Sequence, residues 1–128
     1  MRQASLIIAA SALLAALPAF SHHSFDAEYD SNKIATLTGV VTRVEWINPH
    51  AFLYANVKDE SGAIKNFRFE LGPPYALVRG GWKKDTVKVG DTVTVSGGAL
   101  AKDPLNNWVG AVPSTTLILA SGQKMVMR

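Results

Sequence analysis

Three histidines carry the chemistry this chain offers most openly: His22, His23 and His50. Imidazole is the commonest metal ligand among side chains. The chain has no cysteine, so thiolate ligands and disulfides are both excluded. Any copper or zinc site must be built from nitrogen and carboxylate. His22 and His23 directly follow Met1–Ser21, a stretch patterned as a secretory signal peptide. Cleavage after Ser21 makes His22 the first residue. Its α-amine and ring Nδ1 can then chelate one ion, and a third imidazole completes a T-shaped nitrogen set suited to Cu(II). Cleavage one residue earlier turns Ser21-His22-His23 into an N-terminal X-X-His, a square-planar frame for Cu(II) or Ni(II). The plainer alternative is two polar residues in a loose terminus. His50 follows Asn48-Pro49 at a polar corner between two apolar stretches. It is the natural third imidazole, or else a corner residue whose ring bonds the loop backbone. Asp26, Glu45 and Glu70 are the carboxylates available as ligands or orienting groups. Glu45, across the corner from His50, is placed to orient its ring.

A second kind of chemistry needs no metal. Phe52 and Tyr54 share one face of a strand that follows the corner. Asn66, Arg68 and Glu70 share a face of the next one. Aromatics beside hydrogen-bonding groups suit a saccharide, a peptide or a partner protein. Glu45 and Asn48 border the same region, so the ligand-binding candidates are Glu45, Asn48, Phe52, Tyr54, Arg68 and Glu70. No nucleophile elbow, phosphate loop or paired-carboxylate cleft occurs, so no enzyme activity is expected. Copper is the one candidate cofactor. The candidate partners are a small ligand or a periplasmic protein. The formal charge is +3, but acidic and basic residues are interspersed and no basic run exceeds Lys83-Lys84. Nucleic-acid binding is therefore not expected.

The elements that position these residues follow from patterning. Arg2 supplies a positive start, Leu6–Leu17 an apolar run, and Ala19-Phe20-Ser21 small residues at the cleavage positions. Ser11 and Pro18 interrupt the run, which falls short of the roughly 20 residues a membrane span needs. The expected location is the periplasm or the extracellular space, with no membrane contact after cleavage. Residues 22–33 form an arm in which Phe25 and Tyr29, four apart, can tie the chain onto the domain. Residues 34–128 form that single domain, large enough for a modest core.

Ile34–Trp46 is a long strand rich in Val and Thr. Its apolar parity shifts, and Gly39 marks the expected bulge. Ala51–Val57 alternates cleanly, with Leu53, Ala55 and Val57 on one face. Ala63–Leu71 alternates again after a Gly-containing hairpin loop. Gly72-Pro73-Pro74 stops it and starts a short helix that Gly80-Gly81 ends. Thr92–Ser96 is a fourth strand. A fifth starts at Trp108, is interrupted by Pro113 and continues over Thr115–Leu119. Trp46 and Trp82 are expected in the core.

The predicted order is therefore three strands, a short helix and two strands. This is an all-β fold: a small five-stranded OB-fold-like Greek-key barrel with the helix between strands three and four. An immunoglobulin-like sandwich would need about seven strands. In an OB-fold the ligand face is formed by strands two and three with the loops after strands one and four. Those loops are the Asn48-Pro49-His50 corner and Gly97–Asn107.

Several stretches together resemble a family of small secreted bacterial proteins of unknown function. They are His22-His23-Ser24-Phe25 with Tyr29-Asp30, Glu45-Trp46-Ile47-Asn48-Pro49-His50-Ala51, Phe69-Glu70-Leu71-Gly72-Pro73, Arg79-Gly80-Gly81-Trp82 and Val89-Gly90-Asp91. The chain departs from the expected pattern at Gly80-Gly81, where one glycine is expected before the tryptophan. The resemblance implies a secreted small β-barrel and no established activity.

Overall fold

A computed structural model describes residues 19–128, with side chains from Ser24 onward. The signal peptide expected over residues 1–21 lies outside the described residues except for its last three. The described chain runs α1 (Ala19–Glu28), β1 (Tyr29–Glu45), β2 (Phe52–Lys58), β3 (Ile64–Glu70), α2 (Pro74–Arg79), β4 (Thr92–Ala101), β5 (Trp108–Gly110), β6 (Thr116–Ile118) and β7 (Lys124–Val126). The fold is all-β. Strands β1, β2, β3, β5 and β4 form a ring that closes through a β1–β4 pairing. The β3–β5 pair is parallel and the other pairs are antiparallel. The single helix between β3 and β4 is where the sequence places it.

Strand β1 closes the ring because it is long enough to serve two neighbours. Residues from Tyr29 to Val40 pair with β4, and residues from Gly39 to Glu45 pair with β2. Gly39 and Val40 are therefore paired on both sides. A Cβ at Gly39 would stand 2.6 Å from the Asn56 carbonyl oxygen, so the close approach itself requires glycine there. The bulge lies further on than expected. The register against β2 slips between Val41 and Arg43, leaving Thr42 over. Val41 is thus the buried residue, while Val40 is 45% exposed. Beyond the slip the inward set changes parity, and Val44 and Trp46 pack against the core.

Two further boundaries differ from expectation. Residues 22–28 of the arm belong to α1, and β1 begins at Tyr29 instead of Ile34. Tyr29 and Asp30 pair with Ala101 and Leu100, and residues 31–33 are accommodated by a register shift. The strand expected from Trp108 to Leu119 is two strands. β5 pairs with Ala99 and Leu100 of β4, whereas β6 pairs with Thr94–Ser96 on the same edge. Pro113, which has no N–H to give a ladder, lies in the connection. β7 then pairs with β6, which makes seven strands where five were expected.

The core follows the alternation. Leu53, Ala55 and Val57 from β2 meet Phe69, Val93, Val95, Val109 and Leu117 inside the ring. α2 starts with Pro74 at its first turn and caps one end of the core with fully buried Leu77. Gly81 takes a φ of 99°, and the chain turns so that Trp82 N–H donates to the Leu77 carbonyl. The Trp82 ring is buried 6.3 Å from Trp46, and its indole N–H donates to the Val126 carbonyl at 2.6 Å. At the β2–β3 hairpin, Asp59 Oδ1 accepts from the Ser61 and Ala63 amides. The Ser61 hydroxyl also donates to it and holds the carboxyl below its ordinary value. Gly39→Ala should destabilise the fold by about 1–3 kcal/mol, because a methyl group is forced against backbone. A urea midpoint equal to that of the parent protein would show that β1 and β2 can separate without loss.

Candidate functional site

The site follows from the two-residue period of β2, β3 and β5. The register sets Phe52 opposite Glu70, Leu53 opposite Phe69 and Tyr54 opposite Arg68. On the far side of β3, Arg68 pairs with Trp108 and Glu70 with Gly110. Leu53, Phe69 and Val109 point inward, so Phe52, Tyr54, Arg68, Glu70 and Trp108 share the outer face. His50 precedes Phe52 by two residues and belongs to the same face. The ladder reaches that far, because the Leu71 amide donates to the Ala51 carbonyl and the Ala51 amide to the Gly72 carbonyl. The Asn48–Pro49 peptide just before it is cis.

This register puts His50 beside Glu70, with His50 Nδ1 2.7 Å from Glu70 Oε1. The other oxygen is also used. Tyr29, at the start of β1, donates its hydroxyl to Glu70 Oε2 at 2.7 Å. The same hydroxyl accepts from Arg68 Nη2 at 3.1 Å. The Arg68 guanidinium lies 3.9 Å from the Trp108 ring centre and 5.2 Å from that of Phe52. A chain of polar contacts thus runs His50–Glu70–Tyr29–Arg68, with aromatic rings at the Arg68 end. Burial pushes the Tyr29 hydroxyl pKa well above its ordinary value. The hydrogen bond to Glu70 and that residue's charge add to the shift, and Arg68 opposes it.

The N-terminal helix covers this network. Phe25 on α1 stacks on Tyr29 at 4.7 Å, and the Arg128 guanidinium lies 5.4 Å from its ring centre. Gly110 provides the room: a Cβ there would stand 2.6 Å from the Phe25 ring and 2.9 Å from that of Tyr29. Between α1 and the corner is a cavity of about 40 Å³, lined by Phe25, His50, Glu70, Leu71, Gly72, Ala111 and Arg128. It has room for an ion with a water or two, and not for an organic molecule.

Glu70 is the acceptor that orients His50. An ionised Glu70 can only accept, so Nδ1 is the donor, and in the neutral ring this tautomer leaves the Nε2 lone pair available. The expectation that Glu45 orients this ring is not met: Glu45 pairs with Arg43 at 2.6 Å. Phe52, Arg68 and Glu70 come together as expected. Tyr54 lies further along the same face, under Arg43 at 5.5 Å, and Asn48 is exposed at the corner. The backbone of His22 and His23 belongs to α1, and their side chains lie outside the described residues. Among the described residues no group of three or more histidine, aspartate or glutamate side chains is close enough to hold a metal ion. Sequence reasoning missed the Tyr29 hydroxyl and the Trp108 platform. The Phe25–Tyr29 spacing signalled the anchoring of the arm, but not which carboxylate would receive the hydroxyl.

The Tyr29 shift makes stability depend on alkaline pH. Tyr29 holds its proton more tightly when folded, so its contribution is complete below the ordinary tyrosine value of about 10 and is lost as pH rises through and above it. Tyr29→Phe should lose about 1 kcal/mol at neutral pH with the hydrogen bond. It should also flatten the fall in stability between about pH 9 and pH 11. Urea midpoints across that range check both effects, and an unchanged alkaline slope would remove Tyr29 as its source.

No curated protein and no solved structure matches this chain. A family described as a family of unknown function, DUF6152, does match, over residues 10–104. The matched segment contains the histidine pair, Tyr29, the corner, Glu70 and all of β4. It covers about three quarters of the sequence, and the chain belongs to this family.

Proposed function

We propose that this protein is a secreted or periplasmic metal-binding protein that holds a Cu(II)-type ion between His50 and a processed N-terminus at His22-His23. The observation that carries the proposal is the 2.7 Å contact between His50 Nδ1 and Glu70. Metal-binding histidines commonly use one ring nitrogen for a carboxylate and the other for the ion, which fixes the tautomer and raises ligand basicity. His50 has this second partner in place, and its side chain is 34% exposed. Further support comes from α1. Phe25 lines the same cavity as His50, and His22 is three residues earlier in the same helix. Removal of the leader after Ser21 would add an α-amine to the His22 ring, and His50 Nε2 would be the third nitrogen.

Isothermal titration of Cu(II) into protein exported with its own processed N-terminus is the direct measurement, with the first residue fixed by mass spectrometry. Binding tighter than about 1 μM is expected. His22→Ala and His50→Ala should each weaken it strongly. Glu70→Gln should weaken it by about 10- to 100-fold while leaving the ligands themselves in place. Weaker binding by the parent protein would end the proposal, as would equal affinity in both histidine variants.

A further inference from the structure

On the same outer face, away from His50, lies a second opening. It is a groove of about 400 Å³ lined by Tyr54, Asn66, Arg68, Leu105, Asn106, Asn107 and Trp108. We infer that this groove is a binding site for an acidic saccharide, in which Arg68 receives the carboxylate and the asparagine amides and aromatic rings receive the sugar. It shares no residue with the cavity at His50 and does not depend on a metal.

Charge is the first argument. Arg68 is half-buried and makes no ion pair among the described residues. The carboxylate nearest in the network, Glu70, directs its two oxygens to Tyr29 and His50. Arg68 gives one N–H to the neutral Tyr29 hydroxyl, and its buried Nε has no partner. The nearest carboxylate thus stands one hydroxyl away, and a partly desolvated guanidinium with no direct ion pair gains from an anion that contacts it. No acidic residue lines the groove, and Arg68 is the one charged side chain in its lining.

The lining supplies the second argument. Side-chain amides both donate and accept, as sugar hydroxyls do. Asn66 is held by bonds from its amide nitrogen to Thr42 Oγ1 at 3.0 Å and Asn56 Oδ1 at 2.9 Å. Trp108 and Arg68 are already stacked, which reduces the ordering cost of binding. On the remaining side, Asp103 fixes the loop before β5: its Oδ1 accepts from the Leu105 amide and its carbonyl from the Asn106 amide. That loop presents Leu105, 88% exposed, at the groove's edge. An apolar side chain there can close over the less polar face of a sugar ring.

The test uses trigalacturonic acid as the acidic probe and maltotriose as the neutral one, titrated into ¹⁵N-labelled protein followed by NMR. Expected are shifts at the Trp108 indole N–H and at the Asn66, Asn106 and Asn107 side-chain amides. The acidic probe should bind with a dissociation constant below about 1 mM, and the neutral one about tenfold or more weakly. Asn107→Ala should weaken acidic-probe binding several-fold without changing the fold. Arg68→Lys, which keeps the charge but loses the planar fork, should weaken it about tenfold. If Arg68→Lys unfolds, the salt dependence of parent binding replaces it: a charge contact weakens as salt is added. No shifts from trigalacturonic acid at millimolar concentration would overturn the proposal. So would equal binding of both probes, or shifts confined to residues outside the groove.

Discussion

Closure of the ring rests on one strand pairing along both edges. β1 gives its first part to β4 and its last part to β2, and at Gly39 and Val40 it serves both. Double pairing alone does not demand glycine, since Val40 is paired on both edges too; what demands it is the approach of the Asn56 carbonyl, which would stand 2.6 Å from a Cβ at Gly39. Once β1 is shared, the remaining order is constrained. β2 and β3 follow by hairpin, β5 must enter parallel to β3, and β4 seals the other side. α2 then covers one open end and brings Leu77 and Trp82 onto the core.

The outer face inherits its chemistry from that geometry. Alternation sends Leu53 and Phe69 inward, which leaves Phe52, Arg68 and Glu70 outside on adjacent strands. A bare row of such groups would be solvated and mobile. Here Tyr29 and Phe25 cover it, and the covering is specific because Gly110 leaves a recess of the right depth. Glu70 is the centre of the arrangement: one oxygen faces the first strand of the ring and the other faces the corner histidine.

Much of this was legible before the structure. The clean period of two in Leu53–Val57 and Phe67–Leu71 identified β2 and β3, their faces and the pairing of Phe52, Arg68 and Glu70 into one surface. The glycines and prolines around Tyr75–Arg79 placed the short helix. Legibility failed where a residue's role depends on contacts distant in sequence. Glu45 is closer to His50 in the chain than Glu70 is, yet the strand register gives His50 to Glu70 and leaves Glu45 beside Arg43. The parity shift in β1 was assigned to Gly39, whereas the slip lies at Thr42 and makes Val41 the inward residue. The split into β5 and β6 depends on which part of the β4 edge each segment meets, and no local pattern encodes that.

The shared carboxylate has a thermodynamic consequence. Tyr29, stacked beneath the helix, and His50, at the corner, draw on the same Glu70 group, so the two ends of the network are energetically linked. Linkage is reciprocal: an occupant of His50 that strengthens the hold of Glu70 on Tyr29 fastens the N-terminal helix, and lifting that helix weakens the same occupant by the same free energy. The first residues of the folded segment and the loop between β1 and β2 therefore behave as one thermodynamic unit, although more than twenty residues separate them.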